Sequence, residues 1–170
     1  MTYRLRTTGS IAARAAFLIV VTLAVAGAAA QTMPKEGKYE YTSCWSGTSN
    51  VIQFSKTHIA STSDFIGNNR TNPPGGPFDM TTFHCVGMSS SVDGKETNSN
   101  YCEASDKDGD KWMVRTVSQG PQGTNETLAG TGKYVGMVRS GTSESAGAFP
   151  AIKPGTFTGC NRQTGTYKLK

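Results

Sequence analysis

Leu128–Thr142, LAGTGKYVGMVRSGT, sets three glycines around one tyrosine: Gly130, Gly132, Tyr134 and Gly136. Glycine takes positive φ without a Cβ clash and lets two backbones approach closely. The spacing predicts a strand entering through Thr127, a tight turn, and a return strand from Met137 to Arg139. Tyr134 is the side chain that plugs the gap the glycines leave.

Working outward, the rest of the chain repeats the strand signal. Lys38 to Trp45, KYEYTSCW, alternates Tyr39, Tyr41, Ser43 and Trp45 with Glu40, Thr42 and Cys44, and Gly47 ends the run. Period two with aromatics is the mark of a half-buried strand. Val51–Phe54, Thr57–Phe65, Met80–Met88, Asn98–Ser105, Lys111–Val117, Gly155–Cys160 and Thr164–Leu169 read as further strands. Asn68–Asp79, with three prolines and two glycines, is a loop or a lid over one end, and Gly120–Asn125 is a second loop. No segment after residue 30 shows a capped helical period. The expected fold is all-β, an antiparallel barrel of about eight strands.

The N-terminus sets the compartment. Arg4, Arg6 and Arg14 precede the apolar run Ala15–Ala26, and Ala28-Ala29-Ala30 offers a small-residue cleavage site. That is a secretory signal peptide of bacterial style over residues 1–30, leaving residues 31–170 as one periplasmic or secreted domain without a membrane span. Removing three arginines takes the net charge from +5 to +2, with the remaining basic residues scattered. Nucleic acid is excluded as a partner on that ground.

All four cysteines lie after residue 30, and an even count in an exported chain implies disulfides. If Cys85 faces Cys102 across an antiparallel pair, His84 faces Glu103 and Val86 faces Tyr101. Carrying the Asp106–Asp110 turn through as a hairpin sets Trp112 near Ala104 and Val114 near Cys102. Phe83, Cys85, Cys102, Ala104, Trp112 and Val114 then share an apolar face. Cys44 and Cys160 remain to staple the first strand to one near the end. No CxxC pair supports zinc.

Chemistry is sparse. His84, Glu103, Tyr101 and Arg115 fall on the opposite, polar face, and are the nearest approach to a catalytic set: a carboxylate can tune an imidazole as a base. A solvent-facing strand surface explains the same residues without catalysis. Asp106, Asp108 and Asp110 resemble the opening of a calcium loop, but the twelfth position is Val117 and an Asp/Gly turn accounts for them. Gly130–Lys133 fails the phosphate-loop pattern because Tyr134 follows the lysine. No cofactor is indicated.

The Gly130–Gly141 segment, GTGKYVGMVRSG, resembles the GTGxYxG…G hairpin of the allene oxide cyclase and dirigent barrel superfamily. The chain is also similar to a family of small exported bacterial proteins, through KYEYTSCWSG (residues 38–47) and FPAIKPGTFTGCNRQTGTYKL (residues 149–169). The first resemblance implies an eight-stranded barrel, dirigent- or lipocalin-like, with a central cavity and no cofactor. A cavity of that size class holds one small apolar or amphipathic molecule. Tyr39, Tyr41, Trp45, Trp112 and Tyr134 are the expected wall. The alternatives are a cyclase- or isomerase-type enzyme using His84 and Glu103 inside the barrel, and a structural protein whose barrel is filled by its own side chains.

Overall fold

Alternation in this chain persists for longer than its glycines suggest, and the strands are correspondingly long. The computed structural model describes residues 33–170, which form one unit. The proposed signal segment, residues 1–30, lies outside the described residues. Eight antiparallel strands close into a barrel in sequence order: β1 (Glu36–Gln53), β2 (His58–Arg70), β3 (Thr81–Val92), β4 (Lys95–Ser105), β5 (Lys111–Gln119), β6 (Gln122–Gly130), β7 (Val138–Phe149) and β8 (Thr156–Lys168), with β8 pairing back onto β1. Closure gives every strand a neighbour on both sides, which suits a chain with little apolar surface to cover a free edge strand. No helix among the described residues is long and apolar enough to cross a membrane.

The register expected around the cysteines holds. Cys85 pairs with Cys102, His84 with Glu103, Val86 with Tyr101, Ala104 with Trp112 and Cys102 with Val114. Both disulfides form as read, Cys85–Cys102 between β3 and β4 and Cys44–Cys160 across the β1–β8 seam. The second joins the first strand to the last and so locks the closure.

Several boundaries differ from the sequence reading. Gly47 does not end a strand. It faces Phe65 in the β1–β2 register and leaves room for that side chain, so β1 runs unbroken through Val51. Glycine facing an inward aromatic recurs at Gly67 against Phe83 and at Gly159 against Trp45. These are close-approach positions inside a curved sheet, not strand terminators. Gly155–Cys160 and Thr164–Leu169 belong to one strand, β8. Gly120–Asn125 is a loop only at Gly120-Pro121, and β6 begins at Gln122. The Leu128–Thr142 stretch is not a tight hairpin: β6 and β7 pair only from Gln122 to Glu126 against Ser140 to Glu144, and a short 3-10 turn, Gly132–Tyr134, fills the splayed connection. Tyr134 does plug the gap, at 2% exposure.

Residues 71–80 close one end of the barrel. Phe78 enters among Tyr39, Tyr41, Trp112, Tyr134 and Tyr167, with ring centroids 5.2–6.2 Å away. It does so at a φ of +66°, a conformation that costs a bulky residue about 1–2 kcal/mol. Burial of the ring at 3% exposure offsets that cost, since a fully buried phenylalanine contributes roughly 1.5–3 kcal/mol. The lid reading of this loop is the one the structure supports.

Candidate functional site

The plug occupies one end only. Above it the barrel encloses a cavity of about 880 Å³, blind at the Phe78 end and leading toward the turns at residues 54–57, 93–94, 120–121 and 150–155. That volume lies within the range of small-molecule sites. Its lining follows from the alternation of each strand, because every second residue points inward.

Three zones follow one another from floor to mouth. The floor is polar and hydrogen-bonded. Ser43 Oγ donates to Asn69 Oδ1 at 2.5 Å, and Asn69 Nδ2 donates to Thr81 Oγ1 at 2.8 Å. Across the barrel, Asn125 Nδ2 donates to Gln163 Oε1 at 3.0 Å. Arg139, 4% exposed, lies over the rings of Tyr39 (4.5 Å), Phe78 (5.1 Å) and Tyr41 (5.5 Å), and its Nη2 donates to the Tyr41 hydroxyl. Burial pulls the guanidinium pKa down, but the phenolic oxygens of Tyr41 and Tyr39 outweigh it, so the group stays above its ordinary value and charged. Burial pushes the Tyr41 phenol up, with Arg139 opposing, so that hydroxyl is neutral near pH 7.

Above the floor stands an aromatic collar. Phe65 packs edge-on against Phe83 and Phe157 at 6.4 and 5.8 Å, and Trp45 tilts onto Phe65 at 6.1 Å. Toward the mouth the inward positions turn to serine and asparagine, among them Ser61, Ser89, Asn98 and Ser118. An apolar waist between two polar zones suits a molecule with an apolar body and polar ends.

Of the five aromatics expected at the wall, Tyr41, Trp45 and Trp112 line the cavity. Tyr39 and Tyr134 belong to the plug instead, because their inward positions lie below the floor, and Phe65, Phe83 and Phe157 take their place. The polar set on the other face does not reach the cavity. His84 is on the outer surface, bonded to Asp64 at 2.9 Å, and Glu103 accepts from Lys111 at 2.8 Å. Tyr101 is exposed, and Arg115 stands 3.7 Å from Glu126 on the same outer face. The three aspartates of the β4–β5 turn meet a lysine. The Lys133 ammonium lies 2.6 Å from Asp106, 2.8 Å from Asp108 and 3.9 Å from Asp110, where a cation would otherwise sit. Among the described residues no cluster of acids, histidines or cysteines is arranged to hold a metal ion.

No protein-family model matches the chain, and no curated protein matches it in sequence. Solved structures do resemble it. The pterocarpan synthase dirigent protein PsPTS1 superposes with a TM-score of 0.52 over 81% of this chain and 97% of that one, at 7% identity. The pterocarpan synthase dirigent protein GePTS1 gives a TM-score of 0.48 over 82% and 94%, at 8% identity. At such identity the likeness to PsPTS1 shows the fold alone: this is a dirigent-like β-barrel.

Proposed function

We propose that the protein is an exported, disulfide-stapled barrel that binds one small apolar or amphipathic molecule. The observation that carries this reading is the blind 880 Å³ cavity with its collar of Trp45, Phe65, Phe83 and Phe157. A barrel whose role was purely structural would be expected to fill that space with its own side chains, as it does around Phe78 at the plug. The location of His84 and Glu103 outside the barrel favours binding over the cyclase-type alternative that would use them within it. Two disulfides suit an oxidising compartment, in agreement with the export signal read over residues 1–30.

Native mass spectrometry of protein purified from its own host tests the reading directly. A bound small molecule is expected, displaced by N-phenylnaphthylamine, a neutral fluorescent probe. Failure of the oxidised, folded protein to retain any such molecule and to bind the probe would overturn it.

A further inference from the structure

Arg139 is a buried cation without an anion. It is 4% exposed, and no carboxylate stands within ion-pair distance of it among the described residues. Residues 1–32 contain no Asp or Glu, so the undescribed part of the chain has no acidic side chain to supply. A guanidinium carries five N–H donors. Here one nitrogen, Nη2, reaches the Tyr41 hydroxyl, and Nε is buried with no partner. The rings of Tyr39, Tyr41 and Phe78 offset part of the desolvation cost through their quadrupoles. They do not satisfy the donors. A guanidinium that lines a cavity with donors left over, and with no carboxylate of its own chain beside it, is the group that pairs with a carboxylate or sulfonate.

Two further cavity-lining residues carry a buried polar atom without a partner, Trp112 at its Nε1 donor and Asn100 at its Oδ1 acceptor. Both residues line the cavity with Arg139. Buried polar groups are normally paired, and unpartnered donors on two residues that line one cavity, Arg139 and Trp112, favour an occupant that accepts hydrogen bonds. The aromatic collar between this floor and the mouth would hold the rest of such a molecule.

We propose that the ligand of this cavity is a small organic anion, its carboxylate or sulfonate seated on Arg139 at the floor and its apolar body against the Phe65, Phe83 and Phe157 collar. The inference rests on the cavity-binding reading above and specifies the chemistry of its ligand.

The test compares two fluorescent probes of one skeleton: anilinonaphthalene sulfonate and the neutral N-phenylnaphthylamine. Wild-type protein is expected to bind the sulfonate at least about tenfold more tightly, the size of one charged hydrogen-bonded contact. Arg139→Gln should remove that preference while leaving affinity for the neutral probe intact, with circular dichroism confirming the fold. Arg139→Lys, which keeps the charge but loses the fork, should retain a preference of reduced size. Equal affinities in the wild type overturn the proposal without touching the binding reading, and that comparison needs no variant. A preference that survives Arg139→Gln, or a loss of both probes together in a folded variant, also overturns it. Binding of neither probe overturns the proposal, and, where no molecule is retained from the host either, the binding reading with it.

Discussion

Lys133 reaches back from the β6–β7 connection to Asp106 in the β4–β5 turn, its ammonium 2.6 Å from a carboxylate that is only 7% exposed. Tyr134, the next residue, donates its hydroxyl to the same carboxylate at 3.0 Å. The aspartate turn and the glycine-rich segment that invite metal and phosphate readings thus satisfy one another, and they brace the plugged end of the barrel.

That contact has an acid signature. Burial raises the Asp106 pKa, but the Lys133 and Tyr134 hydrogen bonds and the Asp108 amide outweigh it and hold the carboxyl below its ordinary value. Lys107 and Lys133 lower Asp108 to about 2. A depressed carboxylate contributes stability above its unfolded pKa of about 3.9 and loses it as pH falls through the folded value. Melting temperature should therefore fall as pH drops from about 4 to about 2. Lys133→Met leaves Asp106 buried without its cation and should cost roughly 1–3 kcal/mol near pH 7, between surface and fully buried pairs. The gap between variant and wild type should narrow toward pH 2. A gap that stays constant with pH would assign the loss to packing rather than charge.

The two disulfides should differ in worth. Cys44–Cys160 spans 116 residues and Cys85–Cys102 spans 17. Constraint of the unfolded chain gives about 3 kcal/mol for a loop of the shorter class and about 4.7 for the longer. Replacing Cys44 and Cys160 by serine should then lower the urea midpoint more than replacing Cys85 and Cys102. The reverse order would mean that packing of the sulfurs inside the barrel, where Cys85 is 2% exposed, outweighs chain entropy.

Much of the architecture was legible because period-two alternation and two cysteines fix a register. Once Cys85 faces Cys102, the sides of His84, Glu103, Trp112 and Val114 are all determined. The misread segments are those where the cavity changes the rule. Along β6 the buried positions are Gly123 and Asn125, so the strand shows no apolar alternation and looks like loop. Gly47 resembles a terminator unless it is known to face Phe65. Arg139 left no signal, since Met137-Val138-Arg139 reads as a strand with arginine at its end, and only the closed barrel turns that residue inward. The collar could have been found by extending the register, which sets Gly67 against Phe83 and Gly47 against Phe65.

Those glycine–aromatic pairs carry a packing prediction. A Cβ at Gly67 would fall on the Phe83 ring and on the Cys44 carbonyl oxygen, and the carbonyl cannot move without disturbing β1. Gly67→Ala should destabilise by about 1–3 kcal/mol, the range for overpacking. Gly94→Ala, where no atom lies within 4 Å but φ is +76°, should lose only the cost of that conformation, about 1 kcal/mol. Urea denaturation of the two variants separates steric from conformational cost. Equal losses would show that the space beside Phe83 is looser than the register requires.

The last prediction separates the inside of the barrel from its outside. His84 and Glu103 are exposed and paired with Asp64 and Lys111, so His84→Ala and Glu103→Gln should change stability by no more than about 0.5 kcal/mol. Neither should alter binding of N-phenylnaphthylamine. Ser63 behaves differently, although it is separated from His84 by only one strand pairing. Its register partners are Ser49 and Gly87, and it lines the cavity. Ser63→Trp places an indole in that space and should weaken probe binding at least about tenfold while the protein stays folded, because the excluded volume competes directly with the ligand. Loss of binding on changing His84 or Glu103, with Ser63→Trp still binding normally, would move the site to the outer face and return the carboxylate–imidazole pair to the centre of the chemistry.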